Sequence, residues 1–215
     1  MSDIFREVDE EVRRSQAEAL WAKYSGVILL ACSLLVLAVA GYRFYEWQGE
    51  KAAAAAGAKF EAALQLLQSG KAAEGEAAIA KITVEGSGIY KSLAQFRAAA
   101  ELAKRDALGA IKAYDQLAND ATLDATLRDV ARIRAGVIGV DVLPFADAER
   151  RLSPLLNPAN GWRHAAQELL AAAALKANQL DKARTYLDTI ILDREAPQAV
   201  KARAEVLIGL TRGVQ

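Results

Sequence analysis

The sequence predicts an all-α protein in which a single N-terminal transmembrane helix carries an α-solenoid of about four helical hairpins with a C-terminal capping helix. Three observations predict it. An uncharged apolar run lies between Lys23 and Arg43; the composition is 53% hydrophobic, rich in Ala and holding only 4 Pro; and from Lys51 on, helix-length segments alternate with short breakers. Ala-rich, Pro-poor chains favour long packed helices over sheets.

Charge and cysteine usage narrow the function classes. Lys plus Arg and Asp plus Glu both number 27, so no net field draws the molecule toward nucleic acid or an acidic substrate. Cys32 is the single cysteine, which leaves no intrachain disulfide and no thiolate metal site.

The tail, residues 1–24, reads as a short amphipathic cytoplasmic helix. Ser2 and Asp3 are cap residues, Ile4, Phe5, Val8 and Val12 recur on one face, and Asp9 with Arg13 and Glu10 with Arg14 are spaced as i,i+4 pairs. Its six acids and four bases leave net negative charge, which disfavours anionic lipid and suits protein contact or a solvated extension.

Residues 25–45 follow as the transmembrane helix. The stretch SGVILLACSLLVLAVAGY has Ser25 and Ser33 as its interior polar groups and no charge; at about 1.5 Å per residue it covers about 27 Å, close to a hydrocarbon core. Trp21 and Tyr24 flank one end, and Tyr42, Phe44, Tyr45 and Trp47 the other, as in aromatic belts. A buried core helix would show a polar stripe, and this run has none. A cleaved signal peptide is a rival, because Ala38-Val39-Ala40 before Gly41 suits processing, but the preceding 24 residues are not a short basic region. Lys and Arg near the span divide four before and three after, which hardly sets the direction; a short N-terminus without a signal normally stays in the cytoplasm, so the larger part is expected outside it.

Residues 46–215 form the expected repeat domain. Breakers stand at Ser69-Gly70, Glu85-Gly86-Ser87-Gly88, Asn119-Asp120, Leu143-Pro144, Asn157 to Gly161, Asn178-Gln179 and Ala196-Pro197, and imply antiparallel helix pairs. Gly75, Ala110, Ala148 and Ala183 align as small residues at intervals of 35, 38 and 35, near the tetratricopeptide period of about 34. Four positions later stand Ile79, Tyr114, Leu152 and Leu187; seven later, Ile82, Leu117, Leu155 and Ile190. About twelve positions upstream stand Ala63, Ala98 or Ala99, Gly136 and Ala171. Small residues let two helix axes approach, and larger apolar ones fill the same face. Residues 198–212, with Val200, Ala204, Leu207 and Ile208 on one side, read as the closing helix. Residues 51–58 extend the membrane helix into the first repeat, with Gly49 and Gly57 as candidate hinges.

No catalytic, cofactor-binding or metal-binding residue stands out, and partner-binding residues are unassigned. His164 is the single histidine and has no second His or Cys ligand, so packing or exposure is expected for it. Gly86-Ser87-Gly88 follows no strand and reads as a turn. Glu74 with Glu76, and Asp181 with Asp188 and Asp193, read as solvated faces, as does the stretch of Arg128, Asp129, Arg132 and Arg134 unless it touches a partner.

The tail DIFREVDEEVRR, the span, Tyr42-Arg43-Phe44-Tyr45, and the stretches FRAAAELA, GAIKAYDQLA and GWRHAAQELLAAAALKA together resemble the YfgM-like tetratricopeptide proteins of bacterial inner membranes, in an alphaproteobacterial form. The resemblance covers essentially the whole chain. It implies an ancillary subunit of the SecYEG translocon, single-pass in the inner membrane with its repeats in the periplasm, working beside a PpiD-type chaperone on exported chains. It implies no short binding motif and no cofactor. A non-catalytic adaptor that binds proteins, and neither nucleic acid nor a small-molecule substrate, is therefore expected. The alternatives are a structural scaffold in cell-envelope assembly or division, and an enzyme of unrecognised type.

Overall fold

A computed structural model describes residues 2–212, without the side chains of residues 2–12, 16, 17, 19, 28, 210 and 212. The apolar face of Ile4, Phe5, Val8 and Val12, the caps Ser2 and Asp3, and the pairs of Asp9 and Glu10 lie outside the described side chains. Among the described residues the chain is helical throughout: α1 (Ser2–Gln68), α2 (Ala72–Glu85), α3 (Gly88–Leu102), α4 (Ala107–Ala118), α5 (Ala125–Val142), α6 (Phe145–Leu152) with a 3-10 turn at Ser153–Leu156, α7 (Arg163–Lys176), α8 (Leu180–Leu192) and α9 (Gln198–Arg212). Two compact units result, Met1–Ala55 and Ala56–Gln215.

In the first unit the apolar run faces outward on all sides. Leu30, Leu35 and Leu37 are 64%, 66% and 68% exposed, and no residue of the most apolar stretch is buried. A soluble core helix would be covered, so the helix is a candidate membrane span by length and composition. Aromatic and basic groups pair at both ends: Lys23 lies over the Tyr24 ring, and Lys51 stands 4.2 Å from the centre of the Trp47 ring, itself beside Phe44. Cys32 is exposed within the run.

The second unit is a stack of hairpins. The end of α1 pairs with α2, α3 with α4, α5 with α6, and α7 with α8, while α9 closes on α8 and α7. The aligned columns become its core. Ala110, Ala148 and Ala183 are fully buried, Gly75 is buried, and Ile79, Tyr114, Leu152 and Leu187 are at most 3% exposed. Ala63, Ala99 and Ala171 of the first helices sit in clusters with their own hairpins, and Gly136 lies against Leu152. Of the two candidates in the second repeat, Ala99 packs with Ile111 and Tyr114 of α4, while Ala98 lies against the preceding cluster around Ile79.

Each cluster also takes in the first helix of the next hairpin: Ala94 joins Ala63 and Ile79, Ala131 and Ala135 join Ile111, Leu170 joins Leu152, and Ala204 joins Leu187. This sharing makes isolated hairpins unstable and stacked ones cooperative. Close approach has a strict steric limit. A Cβ on Gly75 would lie 2.7 Å from the Leu67 side chain and 2.9 Å from its backbone nitrogen, and one on Gly136 would lie 2.8 Å from Leu152.

The turns follow from local chemistry. Gly70 and Asn178, at φ 82° and 55°, occupy the left-handed region that Gly and Asn tolerate best. In each turn the following amide bonds back five residues, Lys71 to Leu66 at 3.0 Å and Gln179 to Ala174 at 2.8 Å, so the first and fourth hairpins close by the same motif. The second hairpin turns sooner, with Asp106 capping α4 through Gly109 N at 2.8 Å. Pro154 falls where α6 gives way to the 3-10 turn, which still delivers Leu155 to the core at 0% exposure.

Candidate functional site: the face of the first helices

Within the second unit, α3, α5 and α7 are each the first helix of a hairpin, and α5 packs directly on α7. The register is fixed by polar contacts one repeat apart. Lys176 of α7 reaches the backbone oxygen of Asp141 on α5 and stands 3.4 Å from its carboxylate, while Arg203 of α9 forks onto Glu168 of α7 at 2.6 and 2.8 Å. Counting back from Asp141 in steps of four, three and four places Val137, Arg134 and Val130 on the same face of α5. In the second repeat the corresponding positions are Lys104, in the turn after α3, and Ala100, Arg97 and Leu93 on α3 itself.

Arg97 and Arg134 thus take the same position, two residues before the small residues Ala99 and Gly136. Arg97 holds Glu101 at 2.6 Å, and Lys104 pairs with the same carboxylate, which is only 5% exposed. Two cations around one buried acid leave net positive charge, and the Arg97 Nε is buried without a hydrogen-bond partner. Arg134 is exposed and makes no ion pair among the described residues. Both guanidiniums act on the Tyr114 phenol; burial raises its pKa first, with Arg134 and Arg97 opposing. Leu93 and Val137, 36% and 51% exposed, supply apolar surface on the same two helices. Cation plus apolar surface can dock a protein segment carrying acidic and hydrophobic side chains. In the fourth repeat the position passes to Leu169, so the positive character is confined to the middle of the row.

On the second helices and the turn before α4 the cross-repeat contacts are structural. Arg105 donates to Glu76 at 2.7 Å, Arg151 to Asp115 at 3.0 Å, and the Tyr186 hydroxyl to Glu149 at 3.0 Å. Burial first, and then the Glu149 carboxylate, push the Tyr186 phenol up to about 12.

Two parts of the charged pattern differ from the solvated faces expected of them. Asp193 is no free surface acid: it accepts from His164 Nε2 at 2.8 Å, from Arg163 Nη2 at 2.9 Å and from the Glu195 amide at 2.9 Å. The His164 bond, then the Glu195 amide and Arg163, hold its carboxyl far below the ordinary carboxylate range. His164, 8% exposed, is therefore a structural brace tying the start of α7 to the turn after α8. Arg132 likewise turns inward, bonding Asp129 at 2.8 Å and the Ala118 backbone oxygen at 3.0 Å. Within that stretch, Arg134 makes none of these contacts. Its kinship with Arg97 was visible only as a shared offset from the small-residue column.

No curated protein and no solved structure matches the chain. A family model does, over residues 18–189, described as a tetratricopeptide repeat-like domain. Domains of this kind are generally protein-interaction modules. The match begins ahead of the apolar run and ends within α8, so span and hairpins fall inside a single family unit. The chain belongs to the tetratricopeptide repeat-like domain family.

Proposed function

We propose that the protein is a non-catalytic adaptor anchored in the bacterial inner membrane by residues 25–45, with residues 1–24 in the cytoplasm and residues 46–215 in the periplasm. In this reading it is a YfgM-like ancillary subunit of the SecYEG translocon, acting beside a PpiD-type chaperone on exported chains. The observation that carries the binding role is the repeated first-helix position held by Arg97 and Arg134, which both act on Tyr114 and share their helices with exposed Leu93 and Val137. The family match across both span and repeats supports an anchor retained as part of the working protein, rather than a leader removed after Ala40. Anchoring raises the effective concentration of the binding face at the membrane, so weak contacts there suffice.

Photocrosslinking in intact cells tests the proposal. A photoreactive residue at position 93 or 137 of the full chain is expected to capture translocon or membrane-chaperone subunits, and Arg134→Glu to reduce that capture. Cell-wall or outer-membrane proteins as the dominant adducts would favour the envelope scaffold instead. Full activity of a chain cleaved after Ala40 would overturn the anchor.

A further inference from the structure

Each first helix inside the stack does two jobs with two residues five positions apart. Ala94, Ala131 and Ala166 pack back onto the cluster of the preceding hairpin, and Ala99, Gly136 and Ala171 lie against the second helix of their own. What the second residue meets there is a bulky side chain. Ala99 shares a cluster with Tyr114, a Cβ on Gly136 would touch Leu152, and Ala171 packs with Leu187, as Ala63 does with Ile79 in the first hairpin. α9 repeats the first job. Its Ala204 is fully buried with Leu187 and Ile190, which makes Gly209, five positions on, the residue for the second job.

At Gly209 the pattern is left open. A Cβ there would meet nothing within 4 Å. Val206, three positions earlier, is 73% exposed, whereas its counterparts Phe60, Phe96 and Ile133 are half-buried in their clusters. Ala199 and Ala202 are exposed as well, and with Val206 and Gly209 they recur at intervals of three, four and three, which puts all four on one face. A helix that only closed a solenoid would turn a polar face outward. Glu205 borders the face, is exposed, and makes no ion pair among the described residues.

We infer that the outer face of α9 docks an amphipathic α-helix of another protein, which supplies the second helix of a fifth hairpin. The chain itself shows four times what covers this position: a helix with a small residue followed four and seven positions later by bulky apolar ones, as in Ala183, Leu187 and Ile190. A Lys or Arg on the flank of the docked helix answers Glu205. An extended segment would leave its own amides and carbonyls unpaired against this apolar surface, whereas a helix satisfies them internally. A second copy fits less well, because two α9 faces meeting antiparallel across a two-fold axis would bring their Glu205 carboxylates together. This docking place is separate from the face of Arg97 and Arg134.

The test uses the full-length protein in lipid nanodiscs. The probe is a fluorescent, hydrocarbon-stapled peptide of residues 179–194, the α8 sequence, whose Leu187 would seat on Gly209 as it does on Ala171. Anisotropy is expected to show saturable binding, weakened about tenfold or more by Leu187→Asp in the peptide and by Val206→Asp or Gly209→Leu in the protein. Both protein positions are exposed, so these variants keep the fold, which thermal melting verifies. Val84→Asp, at a valine of α2 that is 78% exposed, is expected to leave binding unchanged. No binding up to millimolar peptide overturns the inference. Binding indifferent to Val206→Asp and Gly209→Leu overturns it too, by showing that the probe displaces α8 from its own hairpin. Self-association of the full chain that Val206→Asp abolishes would overturn it in favour of a second copy.

Discussion

Residues 25–45 and the repeat helices draw on the same apolar alphabet and put it to opposite uses. In the first, Leu35 and Leu37 face outward at 66% and 68% exposure; in the second, Leu152, Leu170 and Leu187 are fully enclosed. The difference lies in what surrounds each leucine in sequence. Around the first there is no polar face, so no orientation of the helix hides the apolar surface, which makes it a candidate membrane span. Around Leu152 and Leu187, charged residues recur with helical period, which leaves one stripe to bury and gives the neighbouring helix a defined place to pack.

The sharpest way to break this contrast is to charge the span. Leu34→Arg with Leu37→Arg is expected to cost about 2.5 to 3.5 kcal/mol per arginine in membrane insertion, shifting the protein out of the membrane fraction on carbonate extraction. The melting of the repeat unit should stay unchanged. Retention in the membrane would mean that the span is not the anchor.

Next in size, Leu152→Ala should destabilise the repeat unit by about 2 to 5 kcal/mol, the range for buried leucines. Leu35→Ala should leave the same calorimetric transition where it was. Equal effects would erase the distinction between the two regions.

Gly75→Ala follows, at about 1 to 3 kcal/mol, because the new methyl meets the Leu67 backbone as well as its side chain. Gly49→Ala, with nothing within 4 Å of the added carbon, should be neutral or slightly stabilising. Chemical denaturation of the pair measures how closely the first hairpin is packed.

The acid response comes after these. Asp193 has a depressed folded-state pKa, so its stabilising contribution is present above the ordinary carboxylate pKa of about 4 and is lost as pH falls below it. Melting temperature should therefore drop between about pH 4 and pH 2 more steeply in the native chain than in Asp193→Asn. Parallel acid profiles would show that the brace at α7 is not electrostatic. The smallest effect belongs to the exposed pair of Glu76 and Arg105, where Glu76→Gln should leave the melting temperature of the repeat unit almost unchanged.

Much of the fold was legible because its signals are local. Gly75, Ala110, Ala148 and Ala183 marked the second helices, and the buried Ile79, Leu152 and Leu187 followed four positions on. Asp193 was not legible as a brace, since its partners lie 29 and 30 residues away and arrive only when α7 packs beside α8. Arg134 stood in a run with Arg128 and Arg132, and nothing local separates the one that faces outward from the one that bonds Asp129.

By itself, then, the sequence determined the uncharged span, the all-helical class, the repeat period and the hairpin columns, all of which follow from spacing along one helix. The choice of Ala99 over Ala98, the brace at Asp193 and the outward placing of Arg134 beside an inward-turned Arg132 were decided only by tertiary structure. The physical reason is that helix periodicity sets which face a residue occupies, whereas the rotation and spacing of stacked hairpins set what that face meets.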